Sequence, residues 1–156
     1  MTIKLTMIRY IERGDIFNIT GVKNYAHGCN CAGAMGKGIA LQFRNRYPQM
    51  YSEYRAMCKD GLFNPGDVFD YMYGDGHIYN LGTQATWRTK ARLEYIEKAV
   101  VGMLDLAVAD NVTKIALPAI GAGLGGLNWA DVKEILDRES ANYPGIELYV
   151  VEAYGC

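Results

Sequence analysis

The sequence predicts an α/β fold in which helices cover a mostly parallel or mixed sheet. One observation behind this prediction is that short apolar runs alternate with helix-spaced apolar positions through the second half of the chain. Another is that two glycine-rich loops, 30–38 and 118–126, each stand where an apolar run gives way to a helix pattern. Open α/β sheets bind ligands beyond the carboxyl ends of their strands, which is where both loops fall. The same two loops therefore predict the fold class and the ligand site.

The composition is that of a globular domain. The chain has 156 residues, of which 50% are hydrophobic, and a net charge of −1. We expect one domain, 1–156, long enough for a substantial core. The near-zero charge favours neither bulk nucleic-acid binding nor membrane-surface binding. No apolar run approaches the roughly 20 residues of a membrane span, and the first residues lack a signal-peptide layout, so we expect a cytoplasmic, monomeric protein.

In the first half, alternating apolar residues predict a strand at 3–9, with 10–13 extending it or pairing with it. A short buried strand is predicted at 25–29. Helix-spaced apolar residues follow from Gly38, and Pro48 marks a break or a new helix start.

In the second half, a Gly-Asp-Gly turn predicts a hairpin, and the longest apolar helix pattern of the chain follows it. Asn128 is the predicted N-cap of the last helix. The predicted elements are strands 66–73 and 77–81, helix 89–109, strand 114–117, helix 128–140 and strand 146–152.

The two loops have the chemistry of an anion site. Glycine permits close approach of the backbone to a ligand, and N–H groups at a helix start favour anions. Two such loops could hold a diphosphate from both sides. Neither loop matches a Walker A sequence or the dinucleotide-binding fingerprint, and a single G-x-G is explained by turn chemistry alone.

The cysteines predict no metal site. Cys29 and Cys31 form a C-x-C without a second pair, and His27 does not complete a zinc set. With Cys58 and Cys156 they are expected to be reduced thiols.

Five segments together resemble the macrodomain family in order and spacing, over nearly the whole chain. They are Gly14-Asp-Ile-Phe17, Ala26-His-Gly-Cys-Asn-Cys31, Met35-Gly-Lys-Gly-Ile-Ala40, Leu81-Gly-Thr83 and Leu117-Pro-Ala-Ile-Gly-Ala-Gly-Leu-Gly-Gly126. The resemblance implies a three-layer α/β/α sandwich that binds ADP-ribose at the strand ends. It is strongest to the compact branch that contains terminal-ADP-ribose glycohydrolases, bacterial DNA-ADP-ribosyl glycohydrolase antitoxins and the yeast-type ADP-ribose 1″-phosphate phosphatase.

The resemblance also assigns ligand contacts. Asp15 would accept a hydrogen bond from the adenine amino group, Ile16 would offer its backbone N–H to the same ring, and Asn30 would reach the distal ribose. The remaining implied ligand-binding residues are Met35, Gly36, Lys37, Gly38, Ile39, Thr83, Pro118, Ile120, Gly121, Ala122, Gly123, Leu124 and Gly125. No cofactor is implied.

Two catalytic groups of the glycohydrolase relatives are missing. Aligning the strand before Thr83 with theirs puts Gln84 at the position of a lysine, and Gly125 falls at that of an aspartate. Glutamine cannot form a covalent adduct with an opened ribose, and glycine cannot act as a base. The lysine-and-aspartate route is therefore closed to this chain.

The run from His27 to Gln42 resembles the phosphatase relatives, which favours hydrolysis of ADP-ribose 1″-phosphate with His27 and Asn30 as catalytic residues. An ordinary pKa of about 6.5 suits histidine to acid–base work. The alternative for His27 is a strand histidine satisfied within the core. Two alternative functions stay open: an ADP-ribosyl hydrolase that uses substrate-assisted water attack on a protein or nucleic acid, and a non-catalytic ADP-ribose binder. His77, beside the hairpin turn, is expected to be exposed, and Tyr154 either stacks on adenine or belongs to a mobile terminus.

Overall fold

A six-stranded sheet with four α-helices makes up the part of the chain that the structure, a computed structural model, describes, residues 7–155. A short 3-10 helix, Ile16–Asn18, follows the first strand. In chain order the elements are β1 (Ile8–Ile11), β2 (Tyr25–Asn30), α1 (Gly38–Arg46), α2 (Pro48–Lys59), β3 (Val68–Tyr73), β4 (Gly76–Gln84), α3 (Leu93–Ala109), β5 (Lys114–Pro118), α4 (Trp129–Ser140) and β6 (Glu147–Val151).

The sheet is mixed and mostly parallel, as the sequence predicts. Its strand order is β1-β6-β5-β2-β4-β3. Every neighbouring pair is parallel except β3 and β4, which form an antiparallel hairpin at one edge. The carboxyl ends of β2, β4 and β5 consequently lie side by side at one end of the sheet, and the hairpin turn lies at the other.

Helices cover both faces of the sheet, which confirms the three-layer arrangement. On one face α3 and α4 pack through residues such as Ile96, Met103 and Leu136, all fully buried. On the other face α1 and α2 contribute Phe43 and Tyr54 to a second core cluster rich in aromatic rings. Helices α2, α3 and α4 each bury two or more residues on one side, as their helix-spaced apolar residues predict, whereas α1 buries Phe43 alone.

Several element boundaries match the prediction, and others differ for identifiable reasons. The Asn128 side chain accepts a hydrogen bond from the backbone N–H of Ala130 at 2.9 Å, which confirms the predicted N-cap. Pro48 begins α2, so the break predicted there separates two helices. Helix α3 begins at Leu93 instead of residue 89 because Thr86 and Thr89 form hydrogen bonds with each other in a tight turn. The predicted strand 3–9 appears from Ile8, and its residues 3–6 lie outside the described part.

No helix within residues 7–155 combines the length and the apolar character that crossing a membrane requires.

Candidate functional site

A cavity of about 670 Å³ lies where the carboxyl ends of β2, β4 and β5 meet, the position predicted from the glycine loops. This size is ordinary for a small-molecule site. Its walls are Gly28, Cys29, Asn30, Ala34, Met35, Gly36, Lys37, Gly38, Ile39, Ala40, Thr83, Gln84, Trp87, Pro118, Ala119, Ile120, Gly121, Gly123, Leu124 and Gly125.

The side chain of Asn30 shapes the first loop. Its Oδ1 accepts from the backbone N–H groups of Ala32, at 3.0 Å, and Ala34, at 3.3 Å. Its Nδ2 donates to the carbonyl of Ala34 at 2.8 Å, and the Tyr54 hydroxyl donates to the Asn30 carbonyl at 2.7 Å. Asn30 lines the cavity as predicted, but most of its amide hydrogen-bonding capacity holds the loop itself. One Nδ2 hydrogen remains for a ligand.

The second loop is compact because two of its glycines leave no space for a side chain. Gly121 has φ +74°, and a Cβ on Gly125 would lie 2.6 Å from the Gly121 carbonyl oxygen. By contrast, a Cβ on Gly123 would meet no atom of residues 7–155 within 4 Å. Gly123 therefore faces open space although it lines the cavity.

The two loops face each other across the cavity. A Cβ added to Gly38, at φ +62° in the first loop, would lie 3.9 Å from Cδ1 of Leu124 in the second. Leu124 is 72% exposed, so it lies at the rim. A ligand between the loops would have backbone on both sides, the arrangement predicted for a diphosphate.

The third wall follows β4, and its glutamine is held in place. Gln84 is buried, and its Nε2 donates to the carbonyls of Thr86 and Thr89, each at 2.9 Å. These bonds fix the turn that presents Trp87, which is 60% exposed at the mouth of the cavity. The Arg88 guanidinium lies over the indole ring, 4.5 Å from its centroid. An aromatic ring and a cation are thus presented together at the rim.

The segment predicted to contact adenine lies outside the cavity walls. Asp15 uses its Oδ1 to accept from the backbone N–H of Phe17 at 2.9 Å, so it caps the 3-10 helix, and Ile16 is buried. A backbone bridge between Gly14 and Tyr154 brings the Tyr154 segment beside Asp15. The Tyr154 ring is 42% exposed. Asp15 and Tyr154 therefore lie on neighbouring backbone segments.

His27 does not lie where its predicted acid–base role requires. Its side chain is fully buried and absent from the cavity walls, because it projects from β2 towards α1 and stacks on Phe43 with ring centroids 4.0 Å apart. Desolvation lowers the pKa of His27 to about 4, so the ring is neutral at pH 7. His27 is therefore a core histidine whose ring has a hydrogen-bond partner inside the protein, which is the alternative that the sequence leaves open.

The cavity walls hold few ionisable groups. Lys37 is an exposed cation on the first loop. Burial raises the pKa of the Cys29 thiol well above its ordinary value, so this sulfur stays protonated and is a poor nucleophile. The wall residues include neither a carboxylate nor a histidine, and their polar side chains are otherwise neutral: Asn30, Thr83 and Gln84.

Thirteen predicted site residues line the cavity, and four do not: Asp15, Ile16, His27 and Ala122. Sequence reasoning had not assigned seven wall residues, namely Gly28, Cys29, Ala34, Ala40, Gln84, Trp87 and Ala119. Most of these flank a predicted site residue, and a motif alone does not show which of its neighbours face the ligand. Trp87 could have been predicted as a site residue, because it is a tryptophan among polar and basic residues.

The fold and the cleft define an α/β domain with a nucleotide-type ligand site at the carboxyl ends of its parallel strands. The family model for the Macro domain matches residues 26–136, and the chain belongs to this family.

Known relatives differ in how much of the chain they match. The DNA ADP-ribosyl glycohydrolase of Mycobacterium tuberculosis is 35% identical over 130 residues, which cover 81% of this chain and 37% of the relative. The solved macrodomain of M. tuberculosis DarG superposes with a TM-score of 0.87 at 33% identity, covering 93% of this chain and 97% of that one. An ADP-ribose 1″-phosphate phosphatase of Aspergillus clavatus is 45% identical over 49 residues, 31% of this chain and 25% of the relative. The chain thus spans about two fifths of the length of the glycohydrolase.

Proposed function

We propose that this macro domain binds the ADP-ribosyl group in the cleft and recognises it where it is attached to DNA. The observation that carries the proposal is the pair of glycine loops facing each other across a cavity of about 670 Å³ at the strand ends. Backbone N–H groups, together with Lys37, supply the anion-binding groups, and no carboxylate in the walls opposes a diphosphate.

In this proposal the ligand runs along the strand ends. Adenine binds beside Asp15 and Tyr154, the diphosphate lies between Gly38 and Gly123, and the distal ribose lies near Asn30 and the β4 wall. This order places the ribose end, from which a carrier molecule continues, beside Trp87.

DNA as the carrier is supported by two independent features. One is the similarity to the M. tuberculosis relative, a DNA ADP-ribosyl glycohydrolase. The other is the rim: Trp87 is exposed, Arg88 lies over its ring, and Lys90 follows two residues later. Exposed aromatic rings with neighbouring cations bind single strands by stacking on bases and attracting phosphates.

Hydrolysis of the bond to the carrier is the second candidate function. The identity with named glycohydrolases favours it, whereas the wall residues include no carboxylate and no histidine to act as acid or base. Turnover would have to rely on a water activated by the ligand's own phosphate. Binding needs none of this chemistry, and we therefore place it first.

Release of phosphate from ADP-ribose 1″-phosphate is supported by the short match to the A. clavatus phosphatase. Its predicted catalytic histidine is buried away from the cavity, so we propose no step through His27.

Calorimetry with ADP-ribose, and with a single-stranded oligonucleotide carrying one ADP-ribosyl group, tests the proposal. We expect both to bind at a one-to-one ratio, and the oligonucleotide to bind more tightly than either ADP-ribose or the unmodified strand. In parallel, ADP-ribosylated DNA, ADP-ribosylated protein and ADP-ribose 1″-phosphate are incubated with the protein, and released ADP-ribose and phosphate are measured.

The outcomes separate the candidates. Binding of ADP-ribose without release from any of the three substrates supports the binding module. Release of ADP-ribose from DNA supports the glycohydrolase, and release of phosphate supports the phosphatase. Absence of ADP-ribose binding would overturn the proposal. Gln84→Lys is a useful companion variant, because a gain of release would show that the missing lysine limits the reaction.

A further inference from the structure

A second cluster of polar side chains lies at the opposite end of β4 from the cleft. Asp70 on β3, His77 on β4 and Asp110 at the C-cap of α3 each place one potential ligand atom within 4.8 Å of the others. The cluster spans the space between the β3–β4 hairpin and the end of α3. None of its members lines the cleft.

His77 is the buried centre of this cluster. It is 6% exposed, which overturns the expectation of an exposed residue beside the turn. Its Nδ1 lies 2.9 Å and 3.1 Å from the two carboxylate oxygens of Asp70. Its backbone N–H donates to Oδ1 of Asn24 at 2.9 Å, and its ring stacks on the fully buried Tyr79, so this end of β4 lies inside the fold.

A buried phenol without a partner faces the same space. Tyr79 is fully buried, and its hydroxyl forms no hydrogen bond among the described residues. It stands opposite Asp70 in the strand register and two residues after His77, on whose ring it stacks with centroids 5.6 Å apart. Burial raises the pKa of the Tyr79 phenol, and the nearby carboxylates of Asp70 and Asp110 raise it further. A buried hydroxyl without a hydrogen-bond partner is unfavourable, so a polar occupant beside it is favoured.

The charges of the cluster are unbalanced. Within residues 7–155, no lysine or arginine forms a salt bridge with Asp70 or Asp110, and His77 is the sole ionic partner of Asp70. Two carboxylates and an imidazole are a donor set that zinc accepts, and imidazole favours transition cations over Mg²⁺ and Ca²⁺. Asp110 is exposed, which gives an ion access from solvent.

We propose that Asp70, His77 and Asp110 bind a divalent transition cation, Zn²⁺ first, which ties the edge hairpin to the C-terminal end of α3. The Tyr79 hydroxyl lies beside this ion and contacts it directly or through a bound water. The site is structural and independent of the ligand cleft. The sequence shows no metal-binding motif here, because the three ligands lie 7 and 33 positions apart on three elements.

Calorimetric titration of untagged, chelator-treated protein with ZnCl₂ tests the proposal. We expect one ion to bind per chain, the melting temperature to rise with Zn²⁺, and Co²⁺ to give visible absorption bands. MgCl₂ should bind much more weakly than ZnCl₂. If Mg²⁺ and Zn²⁺ bound equally well, His77 would not be a ligand of the ion, and the proposal would be overturned.

Asp110→Asn is the decisive variant, because Asp110 is exposed and the change leaves the fold intact. We expect it to weaken Zn²⁺ binding about tenfold or more and to abolish the rise in melting temperature. Asp60→Asn is the matched control, since Asp60 is likewise an exposed aspartate at a helix C-cap, that of α2. The proposal would be overturned if Asp110→Asn bound Zn²⁺ as tightly as wild type does. It would also be overturned if the wild-type protein bound no Zn²⁺.

Discussion

Nε2 of His27 lies 2.6 Å from Oδ1 of Asn80, inside the sheet between β2 and β4. The Asn80 amide is oriented by its Nδ2, which donates to the carbonyl of Phe69 at 3.1 Å. Oδ1 can only accept, so Nε2 of His27 carries the proton of the neutral ring. The histidine that sequence analysis assigned to catalysis is thus part of a buried polar pair.

This pair predicts a pH dependence of stability. Burial lowers the pKa of His27 to about 4, below the ordinary value of about 6.5 that applies to the unfolded chain. The unfolded state binds more protons between these values, so the free energy of unfolding is highest above pH 6.5 and declines as the pH falls towards 4. We expect His27 to contribute a loss of about 2 kcal/mol between pH 7.5 and pH 5, measured by urea unfolding.

His27→Gln is the control for this effect, because glutamine can hydrogen-bond but does not titrate. Its stability should change less over the same pH range, and its affinity for ADP-ribose should stay close to that of wild type. If a folded His27→Gln protein bound ADP-ribose much more weakly than wild type, His27 would have a role in the ligand site.

Replacing Asp15 should separate its two roles. One carboxylate oxygen caps the 3-10 helix, and the other, which has no hydrogen-bond partner within residues 7–155, is proposed to accept from the adenine amino group. Asp15→Asn can keep the cap while presenting an NH₂ group to adenine, so we expect unchanged stability and a ten- to hundredfold weaker ADP-ribose affinity, about 1.5–3 kcal/mol. Asp15→Ala should lose affinity and some stability. Calorimetry measures the affinity and urea unfolding measures the stability. If Asp15→Asn bound ADP-ribose as tightly as wild type, adenine would not bind beside Asp15.

Gly123→Val should block the cleft without unfolding the protein. A Cβ at Gly123 would meet no atom within 4 Å in the described part of the chain, and φ of Gly123 is not in the left-handed region, so we expect the fold to accommodate valine. The branched side chain would occupy the space proposed for the diphosphate. We expect a loss of ADP-ribose affinity of about tenfold or more, roughly 1.4 kcal/mol. Gly145→Val, in an equally open position remote from the cleft, is the control and should bind as wild type does.

Trp87→Ala tests the rim. We expect it to weaken binding of the ADP-ribosylated oligonucleotide about tenfold or more, since stacking on a base contributes about 1–3 kcal/mol. Affinity for free ADP-ribose should change much less. Leu62→Ala removes another exposed apolar side chain, 65% exposed, and should affect neither ligand. Equal losses for both ligands in Trp87→Ala would place the ring against the nucleotide instead of the carrier strand.

Gly125→Asp should destabilise the fold rather than restore a catalytic aspartate. A Cβ at this position would lie 2.6 Å from the Gly121 carbonyl oxygen and 2.9 Å from Cβ of Ala91. Such overpacking typically costs about 1–3 kcal/mol. Urea unfolding of Gly125→Asp beside Gly145→Asp measures it, and equal stability would show that the second loop rearranges easily.

Much of the fold and of the cleft could be predicted from the sequence, because both depend on local patterns. Helix-spaced apolar residues determine which side of α3 is buried, and a Gly-Asp-Gly turn joins β3 to β4. Glycine density marks the two loops since only backbone can approach a ligand so closely. The end of the sheet that bears the cleft follows from chain order, because parallel strands end together.

Only the tertiary structure decided what the polar side chains do. The sequence shows that His27 lies in a strand, but whether its ring faces the cleft or α1 depends on pleat direction and on the packing of Phe43. Asn30 and Gln84 have the chemistry of ligand-binding groups, yet their amides hold their own loops. His77 and Asp110 come together because the hairpin and the end of α3 meet in space. Sequence determines which residue types alternate along a strand or helix; burial and partners come from contacts between distant segments.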